Sequence, residues 1–355
     1  MEFDIRSSPD DIQRIYINSD KELFAFLDPL AEHWKQDGKF EKLRLGFGNG
    51  WFYRGESDAR YRLDPNAHRG LMDYEVEGRQ DEWSTKKIAM QAIHEISRVE
   101  NFLHLADSVG VPVPMEAGVS ESLRESAKRF AMQISECSEG RPRKQQNLFP
   151  DLSDREFGHF HRRVQDFPPS STLEAFAIAQ HYGIGTRLLD WCVLPKIALL
   201  FASERAIVKA EGNAESNKSN PEHFAVTAVS ARVELSTQFR LRLVDCQRSR
   251  IPFLQAQRGI FTLDPAANVA ALGKGFTPHC EIIKVNEPQD ARGTLIKKVM
   301  IPFEMATRVL QILMIEGLTT AHIRPSLDWI AKTLNFYQKH RIDCEFFRNE
   351  NDETK

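Results

Sequence analysis

The chain has 355 residues, 41% of them apolar and 27% charged. That is enough for one large or two medium domains around a sizeable core. Its 47 basic and 50 acidic residues leave a formal charge of −3, so the overall field does not single out nucleic acid or a membrane, although a local basic groove stays open.

The N-terminal stretch MEFDIRSSPDD is acidic and polar, unlike a secretory signal, and no apolar run reaches the length of a membrane span. The five cysteines, at 137, 192, 246, 280 and 344, are odd in number and lack CxxC spacing, which reads as reduced thiols. A soluble cytoplasmic protein with no membrane contact is expected.

Residues 20–36 carry Leu23, Phe24, Phe26, Leu27, Leu30 and Trp34 at helical spacing, with Asp20 as a plausible cap. FGNGWFYRG then changes character, and its consecutive aromatics suggest a strand. A long helix over 82–107 and a second over 119–135 follow, then a loop over 138–154 with a short basic run. STLEAFAIAQHYG opens with Ser171 and Glu174 in capping-box spacing and stops at Gly183. LPKIALLFASERAIVKA forms another helix with Pro195 in its first turn, and 211–222 is the most loop-like stretch of the chain.

HFAVTAVSA, GIFTLD, HCEIIKV and TLIKKVMIP read as short strands, and FEMATRVLQILMIEG and PSLDWIAKTLNFYQKH as two closing helices. Helices, then strands, then helices argue for an α+β fold with a mixed or antiparallel sheet and flanking helices.

Three stretches carry chemistry. WFYRGES puts Arg54 at the end of an aromatic strand, where its permanent charge needs an acid such as Asp190 or an anionic ligand. HYGIGTRLLDW, residues 181–191, sets polar groups against an apolar helix. It reads either as a helix–helix corner, with Asp190 capping the next helix and Trp191 anchoring the turn, or as part of a ligand cleft. RIPFLQAQRGIFTLDP places Gln257 just before Gly259, which fits recognition of a sugar or base as well as an ordinary strand start. His159-x-His161 has no further ligands at zinc spacing, so no metal is assigned; no dinucleotide fingerprint, P-loop or nucleophile elbow is present.

Together these stretches resemble the FRG domain family. Tyr53-Arg54-Gly55 matches its Phe/Tyr-Arg-Gly signature. His181 to Trp191, followed by Ala198 to Ala202, resembles its HYG-x-x-TRLLDW motif and small-apolar helix. Arg250, Ile251, Gln257, Gly259 and Phe261 resemble its third motif with a longer gap, and GLTTAHIRPSLDWIAKTL is similar to its closing helix. The resemblance covers about 45–265 and extends toward 340. With the segments read above, this divides the chain into an N-terminal helical segment over 1–45, an FRG-type core over 46–265 with a helical insertion at about 75–165, and strands and helices over 266–355 expected to pack on the core.

The family also resembles ADP-ribosyltransferases, in which an arginine at a strand end holds NAD. Arg54 fits that pattern; Thr186 fits its Ser/Thr strand poorly, and the late glutamate has only Gln255-Ala-Gln257 as a local match. Asp190 or Glu56 is a candidate for the missing carboxylate. The resemblance implies a bacterial protein, a toxin or defence effector, with NAD as candidate substrate and no assigned cofactor. Arg54, Asp190 and Gln257 would be its catalytic residues; Tyr53, Gly55, His181, Tyr182, Thr186 and Arg187 would bind a nucleotide-like small molecule. A protein or nucleic-acid target is left open. The alternatives are a non-catalytic module for a nucleotide, nucleic acid or protein, and motifs that are purely architectural.

Overall fold

The computed structural model describes residues 3–7, 12–35, 49–69, 85–113, 118–138, 167–232, 241–244, 246, 252–271, 275–285 and 295–342. Its strands are β1 (Asp4–Ser7), β2 (Gln13–Tyr16), β3 (Trp51–Glu56), β4 (Leu189–Cys192), β5 (His223–Ser230), β6 (Arg242–Val244), β7 (Gly259–Leu263) and β8 (Ile296–Pro302). They form one sheet in the order β1-β2-β8-β5-β3-β4-β7-β6. β2 runs parallel to β8 and the other neighbours pair antiparallel, so the sheet is mixed and the fold is α+β. Residues before 45 and after 266 supply strands to the same sheet as the central stretch.

The helices are α1 (Asp20–Phe26), α2 (Thr85–Ser108), α3 (Val119–Ser138), α4 (Leu173–His181), α5 (Pro195–Glu215), α6 (Pro252–Gln257), α7 (Ala267–Ala270), α8 (His279–Val285), α9 (Ala306–Ile315), α10 (Thr320–Ile323) and α11 (Leu327–Lys339). Alternation along β3 divides the layers, because successive strand residues face opposite ways. Trp51 and Tyr53 join α1, α5 and α9 in one core, whereas Phe52 joins Trp191, Ile260 and the α8 residues Ile282 and Ile283 in another. A third core packs α2 and α3 against α4 and β7. Among the described residues no helix is long and apolar enough to cross a membrane.

Several local expectations are corrected. HCEIIKV is the helix α8, not a strand: Pro278 leads in, its carbonyl accepts from Glu281 and Ile282, and Ile282 and Ile283 are buried by the sheet. Tertiary burial overrides the strand preference of β-branched residues there. The helix expected over 20–36 ends at Phe26, and Trp34 lies in a separate 3-10 turn beyond Pro29. Its cap is Ser19, whose hydroxyl accepts from the Glu22 N–H at 3.2 Å, rather than Asp20.

The capping box at Ser171 and Glu174 does not form. A 3-10 turn over Ser170–Thr172 feeds α4 directly, Ser171 bonds Ser122, and Glu174 Oε1 is buried without a hydrogen-bond partner. Gly183 does end α4, at φ 93°, with the Ile184 N–H bonding the Ala179 carbonyl. The helix α5 continues through Glu215 into the expected loop, and Glu211 in its last turns pairs with Lys339 of α11. The supposed helix–helix corner contains the strand β4, so Asp190 lies within the sheet and caps nothing; the Leu194 cap position of α5 has no side-chain bond. The expected loop at 138–154 (beyond Ser138) and the His159-x-His161 pair lie outside the described residues.

Candidate functional site

β3 and β4 share a single registered pair, Tyr53↔Cys192. Beyond it the Asp190 carbonyl has no β3 amide to accept from, and the Arg54 side chain supplies the donor. Arg54 Nη1 lies 2.8 Å from that carbonyl and 2.8 Å from Asp190 Oδ1. Arg54 is buried, whereas the Asp190 side chain is 46% exposed and opens into a cleft.

The cleft encloses about 690 Å³, part of it open to solvent. Arg54, His181, Asp190 and Gln257 all line it, so four residues singled out from three separate motifs meet at one place. His181 is the last residue of α4 and Gln257 the last of α6. Sequence reasoning missed the rest of the polar lining: Asn66 and Arg69 near the 3-10 turn Asn66–His68, Gln180 on α4, Arg205 on α5, and Arg324 just after α10.

Four guanidinium groups therefore face one carboxylate, Asp190. Arg69 donates to the Asp64 carbonyl at 3.1 Å, Arg205 lies over Phe201, and Arg324 lies over Trp329. None of these three forms an ion pair with a carboxylate among the described residues. Desolvation, with the charges of Arg54 and Arg205, draws Arg69 below the ordinary arginine range; desolvation and Arg205 do the same to Arg324. Desolvation alone would raise Asp190, but Arg54, with Arg205 behind it, more than reverses this and holds the carboxyl well below the usual range. Burial and the nearby Arg324 charge bring His181 down to about 4, so its imidazole is neutral at pH 7. Burial, reinforced by Asp190, pushes the Cys192 thiol up to about 12.

Gln180 orders the acid. Its Oε1 accepts from the Thr186 N–H at 2.9 Å and the Thr186 hydroxyl at 3.0 Å. Both are donors, so the amide can take only one orientation, which turns Nε2 toward Asp190 Oδ1 at 3.5 Å.

Five residues expected to touch a ligand do not line the cleft. Tyr53 is in the core on the α5 side of the sheet, with its hydroxyl bonded to Asn49. Gly55 sits where β3 crosses α5: a Cβ there would come within 2.1 Å of the Ala198 carbonyl and 2.7 Å of the Ala202 N. The glycine of the first motif and the small residues of the second are thus one close crossing. Thr186 is buried under Gln180.

Arg187, 1% exposed, donates through Nε at 3.0 Å and Nη2 at 2.9 Å to Glu95 of α2, and through Nη1 at 3.0 Å to Asn268. Tyr182 is exposed and tilts against Phe102. Glu56, the other candidate carboxylate, is buried with Lys298 at 3.0 Å and accepts from Thr227 at 2.6 Å, so it does not reach the cleft. Arg250 and Ile251 lie outside the described residues.

The HYG-x-x-TRLLDW segment thus builds one wall of the cleft and the clamp behind it. Residues 117–211 match the FRG domain family. The matched stretch runs from the start of α3 into α5 and contains His181 to Trp191 and Ala198 to Ala202. Tyr53-Arg54-Gly55 and Gln257 to Phe261 fall outside it, yet Arg54 and Gln257 meet the FRG domain across the cleft. No curated protein and no solved structure matches the chain.

Proposed function

We propose that the cleft binds a pyrophosphate-bearing nucleotide and that NAD is its substrate, consumed by hydrolysis or by transfer of its ADP-ribosyl group. The observation that carries this reading is the charge count in the lining: Arg54, Arg69, Arg205 and Arg324 with Asp190 as the one lining carboxylate, while burial draws Glu204, behind Arg205 and Arg324, toward its neutral form. Guanidinium groups without acidic partners are suited to phosphate oxygens, which they bind through charge-assisted and often bidentate hydrogen bonds.

The chemistry follows from the acid. When the nicotinamide–ribose bond breaks, the bonding pair leaves with nicotinamide and the sugar carbon becomes cationic. An ionised Asp190, with Oδ1 held by Arg54 and Gln180, would offset that charge. Water or an acceptor hydroxyl then bonds to the sugar carbon and releases its proton to solvent at the open side of the cleft. Consumption of NAD is also chemistry by which a bacterial toxin or defence effector would act.

A non-catalytic nucleotide-binding module is the second reading. It is favoured by the engagement of Asp190 with Arg54, which leaves the carboxylate less free for chemistry. Nicotinamide release from NAD separates the two. The enzyme releases it, and Arg54→Ala slows release by roughly a hundredfold while the variant still shows a cooperative melt. Thermal stabilisation by NAD without release selects the binding module; neither release nor stabilisation removes the reading altogether.

A further inference from the structure

The arginines and Asp190 have tasks in that proposal, and Gln257 does not. Gln257 lines the cleft and is 9% exposed, yet its carboxamide has no hydrogen-bond partner among the described residues. The amide borders the open side of the cleft, so both its donor and its acceptor are free to pair with a molecule that enters it.

The backbone that carries Gln257 is held from two sides. Arg258 takes the left-handed conformation at φ 47°, which costs a non-glycine residue roughly 1–2 kcal/mol. Its carbonyl accepts from the Val193 N–H at 3.2 Å, which ties the turn to the end of β4. Gly259 follows where a Cβ would come within 2.4 Å of Leu254 Cδ1. Strain of this kind persists where the surrounding structure over-determines it, and it clusters at ligand sites.

The rest of the lining from α6 and β7 is apolar, with Leu254, Ile260 and Phe261, while the arginines come from other elements. An amide in an apolar wall has no charge to attract an anion. Its adjacent donor and acceptor match a neutral edge, such as N6 and N7 of adenine, which glutamine can pair with bidentately.

We infer that Gln257 is the specificity-determining residue of the cleft and reads the base of a nucleotide whose phosphates the arginines hold. This rests on the anion-binding reading of the same cleft. It also gives Gln257 a role other than catalysis, since a glutamine has neither charge nor a titratable proton to contribute.

Calorimetric titration with ADP and with inorganic pyrophosphate tests it, because the two probes differ by the nucleoside. In the wild-type chain both bind. Gln257→Leu weakens ADP by roughly tenfold or more and leaves pyrophosphate within about twofold. Its melting temperature does not fall, since the amide holds nothing in the fold. Gln257→Met serves as the second variant should leucine disturb the turn.

Unchanged ADP affinity in a folded variant overturns the inference, as does equal loss of both probes. Wild-type protein that binds pyrophosphate but not ADP overturns it while leaving the anion site standing. Protein that binds neither probe overturns both.

Discussion

Two arginine–carboxylate pairs flank the same short strand. Arg187, just before β4, closes on Glu95 of α2, and Arg54 of β3 closes on Asp190 within β4. In the first pair both side chains are sealed: Glu95 has no exposure, Asn268 takes the remaining Nη1, and Phe167 lies 4.1 Å beneath the guanidinium. Burial pushes Glu95 up, and Arg187 with His68 brings it back down to about 2. In the second pair the acid opens to a cleft where three more arginines make no ion pair among the described residues. A pair with its bonds used internally acts as a clamp, here fastening α2 to the start of β4. A pair beside surplus charge can act as part of a receptor. One motif holds both because Arg187 sits at the bend that precedes β4 and Asp190 lies within the strand.

The largest expected effect breaks the clamp. Arg187→Ala leaves Glu95 buried without its cationic partner, held only by the residue-187 N–H and the Gln91 amide, and should cost about 3–5 kcal/mol in chemical denaturation at neutral pH. A loss below about 1 kcal/mol would place this pair among weakly coupled surface pairs and erase the contrast.

The next effect is a pH dependence on the receptor side. Burial, and then Arg324, depresses the folded-state pKa of His181 to about 4 from 6.5. Its contribution to stability is therefore fully present above pH 6.5 and is lost as the pH falls toward 4. The loss should be on the order of 2 kcal/mol, and His181→Asn should flatten that part of the stability profile. An unchanged slope in the variant would show that His181 is solvated in both states.

The smallest effect on folding is Arg205→Ala, which should leave stability within about 0.5 kcal/mol. It should weaken pyrophosphate binding roughly tenfold, read by calorimetry. A stability loss without a change in affinity would make Arg205 a structural residue and narrow the receptor to Arg54, Arg69 and Arg324.

Legibility varied with the range of the forces involved. The partnership of Arg54 with Asp190 was readable because a buried permanent charge demands an acid and the two motifs offered few. The α+β class followed from runs of different period along the chain. The strand β4 was not readable: Leu189–Cys192 is too short to show a period, and its burial comes from β3 and β7 on either side. The strand character assigned to HCEIIKV failed for the opposite reason, since its local preference yielded to Pro278 and to burial against the sheet. Arg69, Arg205 and Arg324 carried no local signal among 47 basic residues, because what distinguishes them is their convergence in space on one cleft.

Sequence by itself determined which residues could not be ordinary: a glycine after Arg54, an arginine and an aspartate inside an apolar stretch, and an amide before Gly259. These follow from the cost of burying charge and from the small size of glycine, which hold wherever the chain goes. Only the tertiary structure decided their division of labour. It spent Gly55 on the crossing with Ala198 and Ala202, sealed Arg187 against Glu95, and left Asp190 and Gln257 facing a cleft edged with arginines. Whether a polar group is satisfied depends on what long-range packing brings within about 3 Å of it, and chain order does not encode that distance.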